Sequence, residues 1–336
     1  EGGGAVYSYR LEGGEQVLEG RIPIPDGFVT ERFGTSVAID GDTLVIGAPG
    51  DPVVPKGSGL QPLRAAIFQR VNQEWQFKQS LTSSETDGDE FGTAVAIDQG
   101  MLVVGAPAEG ESGKAHVFDL EGGNWVFMGR AQPPDPQPGE RFGAAVSTGG
   151  GKIAVGSPNS QVGQAVSGSV SLFDIIEGNL SEIGSVAGSD AGTGSEFGAS
   201  VVLENDVMLV GSPGENNDQG AIYRFDPSSQ ITQTGRMTAD DSSPGDRLGA
   251  AVSIDAETNT VAAGAPGVAN VGAFYTFIAD SLAQKARYDV EDDEDAFGAS
   301  IAISGEQIIV GAPATRDEGT VVLLRGTQLI FRNGFE

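Results

Sequence analysis

The chain has 336 residues, of which 51 are glycine and none is cysteine, and its formal net charge is −28. Glycine is about twice as frequent as in an average protein, which excludes a helical bundle, and the lack of cysteine excludes disulfides, thiolate catalysis and zinc–thiolate sites. So large a negative charge disfavours binding to nucleic acid or to an anionic membrane surface, and no apolar run is long enough to span a membrane.

The first 32 residues contain two runs of strand type, GAVYSYR and EQVLEGRIPI, which predict a β-hairpin. The chain starts at Glu1 rather than at methionine, which is typical of a processed or truncated product.

From residue 33 onward one pattern occurs six times. Each copy opens with Phe-Gly or Leu-Gly, continues through two short apolar runs joined by a polar turn, and closes with Gly-Ala-Pro or Gly-Ser-Pro. The interval from the opening residue to the closing glycine is 14 residues in every copy except the fifth, where it is 16. The opening pairs are Phe33-Gly34, Phe91-Gly92, Phe142-Gly143, Phe197-Gly198, Leu248-Gly249 and Phe297-Gly298. The closing glycines and prolines are Gly47 and Pro49, Gly105 and Pro107, Gly156 and Pro158, Gly211 and Pro213, Gly264 and Pro266, and Gly311 and Pro313.

Each copy continues with a third and a fourth run, such as GKAHVFDL and WVFMGRA. Four short strands in roughly 50 residues, repeated along the chain without helical periodicity, predict an all-β fold, a β-propeller of four-stranded antiparallel blades. We predict one propeller domain over residues 1–336. Its repeats span residues 33–90, 91–141, 142–196, 197–247, 248–296 and 297–336.

The residue types suggest where each run lies in a blade. The first two runs consist of Val, Ala, Ile and Gly, as in strands buried on both faces, and should be the inner strands. We expect each opening phenylalanine to fill the wedge between neighbouring blades and the glycine beside it to allow close backbone approach. The closing proline cannot donate to a β-ladder and should end the second strand.

The hairpin in residues 1–32 matches the third and fourth runs of a repeat, without the first two. The predicted total is therefore six full blades and the outer half of a seventh. Two explanations stay open. The sequence could be a fragment that begins within a blade, or the inner strands could come from another segment, including a neighbouring chain, because open strand edges favour pairing.

The Phe-Gly to Gly-Ala-Pro arrangement resembles the FG-GAP repeat family, which includes the integrin α-subunit propellers and many bacterial secreted proteins. The resemblance covers nearly the whole chain. It implies a seven-bladed propeller that is secreted or on the cell surface and binds an extracellular protein or glycan ligand. It does not imply an enzyme, and the inner strands offer no converging catalytic side chains.

The resemblance also implies calcium, held in a D-x-D-x-D-G-like loop between the first and second strands. The corresponding turns here lack the three-carboxylate spacing that a hard cation needs; the richest contains only Asp40 and Asp42. We therefore expect no cofactor at these turns. Acidic clusters before two of the Phe-Gly pairs are weaker calcium candidates, with solvated charge as the alternative: Asp87, Asp89, Asp292 and Asp295.

The position two residues before each opening pair is acidic in five of six copies, and we expect a carboxylate that accepts backbone N–H bonds in a turn rather than a ring of ligands. These residues are Glu31, Asp89, Glu140, Ser195, Asp246 and Asp295. The single histidine, His116, is predicted to be a partly exposed strand residue. Trp75 and Trp125 could stack on sugars, but we expect them to pack against neighbouring strands.

Two connections between the second and third strands are long, residues 50–63 and 157–168. Binding function tends to lie in such loops on a rigid scaffold, so we expect contacts with a partner there.

Overall fold

The computed structural model describes residues 4–12, 15–50, 61–83, 88–228, 230–289, 296–313, 319–325 and 328–334. These residues form six four-stranded antiparallel sheets, the blades of an all-β propeller, and in each sheet the strands are ordered first, second, third, fourth. The predicted architecture of four-stranded blades is thereby confirmed. No helix among the described residues is long and apolar enough to cross a membrane.

We number the blades 1 to 6 in chain order. The first strands are Ser36–Asp40, Ala94–Asp98, Ala145–Gly149, Ser200–Glu204, Ala251–Asp255 and Ser300–Ser304. The second strands are Thr43–Gly47, Met101–Ala106, Lys152–Ser157, Val207–Ser212, Thr260–Ala265 and Gln307–Ala312. The third strands are Ala65–Val71, Lys114–Glu121, Ser169–Ile176, Ala221–Asp226, Ala273–Ile278 and Thr320–Arg325. The fourth strands are Glu74–Leu81, Asn124–Ala131, Asn179–Val186, Thr232–Met237, Gln284–Asp289 and Gln328–Gly334.

Short elements lie between and before the blades. Val6–Glu12 and Glu15–Ile22 form a separate two-stranded antiparallel sheet, which we call the N-terminal hairpin. The remaining short elements are the parallel pair Phe28–Val29 and Gln61–Pro62, the antiparallel pair Gln161–Val162 and Ala165–Val166, a single α-turn at Glu215–Asp218 and a 3-10 turn at Val268–Asn270.

The chain divides within blade 3 into two compact units. The first comprises Glu1–Val155 and Phe173–Glu182, and the second comprises Gly156–Leu172 and Ile183–Glu336. Each unit contains apolar clusters that join consecutive blades.

The opening phenylalanines lie in these clusters. In the first unit, buried Phe91 packs among Ala65 and Ile67 of blade 1 and Leu102 and Val104 of blade 2. In the second unit, Leu248 takes the same place between blades 4 and 5, and Phe297 between blades 5 and 6. Because each of these side chains contacts strands of two blades, it contributes to the packing between them.

The two glycines of each repeat meet across neighbouring blades. A Cβ atom added to Gly105 of blade 2 would overlap the carbonyl oxygen of Gly143, the Phe-Gly glycine of blade 3. The same overlap would occur between Gly264 of blade 5 and Gly298 of blade 6. Glycine is needed at the closing position because backbone there packs directly on backbone of the next blade.

A parallel bridge links the glycine before a third strand to the opening residue of the next blade. It joins Gly113 to Phe142, Gly168 to Phe197, Gly220 to Leu248 and Gly272 to Phe297. Gly4, just before the N-terminal hairpin, makes the same bridge to Phe33 of blade 1. The closing prolines follow the ends of the second strands, as Pro107 does after Ala106.

Candidate binding surface

The loops of the second unit that follow the second and fourth strands form one connected surface. We call it the loop rim and define it as residues 157–168, 187–197, 213–220, 238–248 and 266–272. Backbone hydrogen bonds join each loop to the next. They run from Gly194 N to Val166 O (2.9 Å), Gly214 N to Ser195 O (3.0 Å), Gly245 N to Asn217 O (3.1 Å) and Gly267 N to Asp246 O (3.1 Å). Loops held in this way by main-chain bonds present a preorganised surface.

The rim is strongly acidic. It contains seven carboxylates and a single cation, Arg247. This guanidinium bridges two of the loops, with Nη2 at 2.5 Å from Glu196 Oε2 and Nη1 at 2.9 Å from Asp218 Oδ1. Other rim carboxylates reach solvent, including that of Asp190, whose side chain is well exposed.

Three of the blades carry a polar cluster at the same position of their third and fourth strands. In blade 4, Tyr223 lies opposite Arg236, and the carboxylate of Glu215 binds both. Tyr223 donates to Glu215 Oε2 at 2.6 Å, and Arg236 Nε donates to Oε1 at 3.0 Å. Burial and the hydrogen bond to Glu215 raise the pKa of Tyr223. The cluster ties the loop that carries Glu215 to the outer strands.

Blade 5 builds the equivalent cluster from a different loop. Tyr275 lies opposite Arg287, and both bind Asp241 from the connection that precedes the blade. The place of Glu215 is taken here by Val268, and a cavity of about 410 Å³ lies beside it, lined also by Asp246 and Asn270. Burial opposes ionisation of Asp241, but the hydrogen bonds from Arg287 and Tyr275 outweigh it and lower its pKa.

In blade 2 of the first unit, the corresponding residue is His116, opposite Arg130. The expectation that His116 is partly exposed is wrong, since only 1% of its surface is accessible. Its Nε2 lies 2.5 Å from Glu109 Oε2, and its ring packs edge-on against Phe91. Burial opposes ionisation of Glu109, but the hydrogen bonds and charges of His116 and Lys114 outweigh it and lower the pKa of that carboxyl.

The residues located two positions before each opening pair accept hydrogen bonds within turns. The side chains of Glu140, Ser195 and Asp246 each accept the backbone N–H three residues earlier, at 3.0, 2.8 and 2.6 Å. Asp89 accepts the backbone N–H of Phe91 at 3.0 Å. These contacts match the predicted turn role. Glu31 is exposed, and Asp295 lies outside the described residues.

The calcium candidates do not come together as a site in the described part of the chain. Asp89 is buried and also accepts a bond from the Ser83 hydroxyl. Asp87, Asp292 and Asp295 fall outside the described residues. Among the residues that are described, no group of three His, Cys, Asp or Glu side chains could hold a metal ion.

The two tryptophans pack as expected. Trp125 is buried in the apolar cluster shared by blades 1 and 2. Trp75 is half-buried against the core of blade 1, with the Arg70 guanidinium 5.6 Å from its ring.

Of the two long loops, residues 51–60 lie outside the described part, whereas the loop at 157–168 is described. It forms a short hairpin on the rim, and its side chains Val162 and Val166 are exposed. This loop therefore places two exposed apolar side chains at the end of an acidic surface.

The family model of the FG-GAP repeat matches residues 18–59, 75–118, 181–225, 231–277 and 289–322, together more than half of the chain. Most matched segments begin near or in the fourth strand of one blade and continue into the next blade, so that each spans a junction between blades.

Two known proteins resemble the chain. Integrin alpha-D of Homo sapiens is 28% identical over 219 residues, which cover 60% of this chain and 18% of that protein. The chain thus spans less than a fifth of the length of that curated relative. The crystal structure of Saccharomyces cerevisiae Sqt1 superposes with a TM-score of 0.51 at 12% identity, over 89% of this chain and 84% of that one, a likeness of fold alone.

Proposed function

This chain belongs to the FG-GAP repeat family, and on that premise we propose that it is a non-enzymatic binding or adhesion module that works outside the cell or at its surface. Its ligand is an extracellular protein or glycan, and the loop rim makes the contact. The proposed contact depends on the loops and their own hydrogen bonds.

The observation that carries the proposal is the continuity of the loop rim. Main-chain hydrogen bonds connect five loops from three consecutive blades, so little conformational entropy is lost when a partner binds. The polar clusters at Glu215 and Asp241 hold two of these loops on the outer strands. The excess of carboxylates favours a partner surface with positive charge and gives binding a strong dependence on ionic strength.

Rim and control variants test this function. The immobilised protein is screened by biolayer interferometry against a panel of extracellular-matrix proteins. The protein in solution is screened for carbohydrate binding on a glycan array. The rim variants are Asp240→Asn and the pair Val162→Ser with Val166→Ser. Matched controls lie at the other end of the strands, Asp206→Asn in the turn before a second strand and Ile278→Ser at the end of a third strand. We expect only the rim variants to lose binding; equal loss in both sets, or retention in both, contradicts the proposal.

A second candidate function is that of a structural subunit in an extracellular assembly. In this interpretation the N-terminal hairpin is the outer half of a seventh blade, and a neighbouring chain completes it. The bridge between Gly4 and Phe33 supports the interpretation, because the same bridge lies at the start of the outer half of four full blades. Ile22 and Val6 also pack with Phe33, much as outer-strand residues of blade 1 pack with Phe91. Native mass spectrometry and electron microscopy of material from the natural source test this candidate function. Monodisperse single chains, each with a closed seventh blade, would contradict it.

A further inference from the structure

The cavity of about 410 Å³ in the second unit lies beside Val268, two residues after the closing proline of blade 5. Blade 4 has Glu215 at this position, and its carboxylate reaches Tyr223 and Arg236. Val268 is shorter and apolar, so it makes no such bonds, and Arg287, the counterpart of Arg236, lines the cavity instead. The volume is within the range of about 300–1,000 Å³ that is typical of ligand pockets.

The wall of the cavity carries charges of both signs. Asp241 and Asp246 lie in it together with Arg287. The guanidinium of Arg287 already pairs with Asp241 and Asp289, so few of its N–H groups are left for an anion, which Asp246 would also repel. A cationic group would in turn lie close to the guanidinium, and like charges repel. The cavity therefore favours an uncharged polar ligand.

Three side chains of the wall have unused hydrogen-bonding capacity in the described part of the chain. Asp246 is 8% exposed, yet its carboxylate has no ion-pair partner there and accepts one bond, from the backbone nitrogen of Ser243 at 2.6 Å. The Ser243 hydroxyl and the Asn270 side-chain amide make no hydrogen bond to other described residues. Together the three side chains supply both donors and acceptors. Sugar hydroxyls both donate and accept, so neighbouring hydroxyls of one ring match this set.

The rest of the wall is partly apolar and is held in place by the backbone. Pro244, Val268 and Ala269 contribute apolar surface, which suits the C–H groups of a sugar ring. Gly267 N donates to Asp246 O at 3.1 Å, and this bond joins the two loops that form the wall. Because the loops are fixed before a ligand arrives, little conformational entropy is lost on binding.

We propose that this cavity binds a neutral hexose unit of a glycan. Asp246, Ser243 and Asn270 hydrogen-bond neighbouring hydroxyl groups of the sugar, and Pro244 and Val268 contact its C–H groups. This inference rests on the proposed function. It names a glycan as the ligand and blade 5 as the place on the loop rim where a sugar unit binds.

Titration of the folded chain with small probes tests the cavity. The probes are the methyl α-glycosides of D-glucose, D-galactose and D-mannose, with Nα-acetyl-L-lysine N-methylamide and sodium acetate as charged comparisons. Binding is followed by NMR through the methyl signals of Val268 and Ala269, which line the cavity. The test variants are Val268→Glu, which introduces the side chain that blade 4 has at this position, and Asn270→Ala, which removes an exposed amide. The matched control is Asn217→Ala, an exposed asparagine at the corresponding position of blade 4, where Glu215 is present.

We expect saturable shifts of both methyl signals with at least one glycoside. The dissociation constant should be at least about tenfold higher for Asn270→Ala and unchanged for Asn217→Ala, and Val268→Glu should show no measurable binding. If Val268→Glu fails to fold, as its melting temperature would show, the comparison of the two asparagine variants decides alone.

Three results overturn the inference: lack of saturable binding by all three glycosides, tighter binding of the lysine derivative or of acetate, and equal affinity of the Asn270→Ala and Asn217→Ala proteins. Attachment of a matrix protein to the loop rim, without any glycoside in the cavity, overturns this inference but leaves the proposed function intact.

Discussion

The hydroxyl group of Tyr223 donates a 2.6 Å hydrogen bond to Glu215, and both residues are buried. The bond joins the third strand of blade 4 to the loop that follows its second strand. A buried carboxylate has to be hydrogen-bonded or paired with a charge, and here Tyr223 and Arg236 do both. The loop is consequently held in place by the blade beneath it.

Replacement of Tyr223 by Phe should lower the free energy of unfolding by about 1–3 kcal/mol, because Glu215 loses a buried donor. Tyr275→Phe is the comparison, and its loss should be smaller because its acceptor Asp241 is partly exposed. Urea denaturation followed by circular dichroism measures the unfolding free energy of both variants. An equal loss in the two would contradict the argument that burial of the acceptor carboxylate sets the size of the effect.

The raised pKa of Tyr223 predicts a loss of stability at high pH. A phenol whose pKa is higher in the folded than in the unfolded state contributes stability below the unfolded value of about 10 and loses it as the pH rises further. Burial also raises the pKa of Tyr275. We expect the unfolding free energy to fall above about pH 10, and to fall less steeply in Tyr223→Phe.

The lowered pKa of Glu109 predicts a loss of stability at low pH, the opposite of the effect of the tyrosines. Its pKa is lower in the folded state, so its contribution is present above the unfolded value of about 4.3 and is lost as the pH falls through the folded value. Glu109→Gln should cost about 3 kcal/mol at neutral pH, because it leaves His116 and Lys114 without their charged partner.

Glu140 provides a matched control for Glu109. Burial raises its pKa, so the fold disfavours its charged form. In the Glu140→Gln variant the side-chain amide oxygen would still accept the backbone bond from Gln137. We therefore expect this variant to retain its stability at neutral pH, and a similar loss in both variants would show that charge is not what distinguishes the two sites.

The wedge position predicts a large effect for Phe91→Ala. The ring is fully buried between blades 1 and 2, and its removal should cost about 3–5 kcal/mol. Phe77→Ala, at a partly exposed fourth-strand ring, should cost clearly less. Chemical denaturation checks the pair, and a loss below about 1 kcal/mol for Phe91→Ala would remove the argument for an inter-blade wedge.

The contact between glycines predicts that Gly264→Ala disrupts the interface of blades 5 and 6. Its Cβ atom would overlap the carbonyl oxygen of Gly298, and the backbone shift should cost about 1–3 kcal/mol or more. Gly192→Ala is the control, because open space surrounds its Cβ position. Comparable melting temperatures for the two variants would contradict the close backbone approach.

The blades themselves could be predicted from the sequence because their signals are local and repeated. The interval between Phe-Gly and Gly-Ala-Pro, which is the same in five of the six copies, sets the length of the first two strands, and proline ends the second. Six copies of one pattern are enough to predict the four-stranded sheet and the family from the sequence alone. The buried state of His116 could not be predicted in this way, because its partner Glu109 lies in a connection of irregular length. A glutamate four residues after the closing glycine, in blades 2 and 4, was the available signal.

The exposure of the blade 1 surface is a second feature that the sequence could not predict. Val37 and Ile39 have the residue types of Val95 and Ile97 at the same positions of the repeat, so local sequence predicts the same environment for both pairs. Their exposure differs because burial of a strand face depends on the neighbouring blade, which is distant in sequence from the strand it covers. The sequence by itself therefore determined the repeat, the strands and the wedge residues. The tertiary structure decided which loops join into a rim, which polar groups are buried together and which apolar face stays open, because all three depend on contacts between separate repeats.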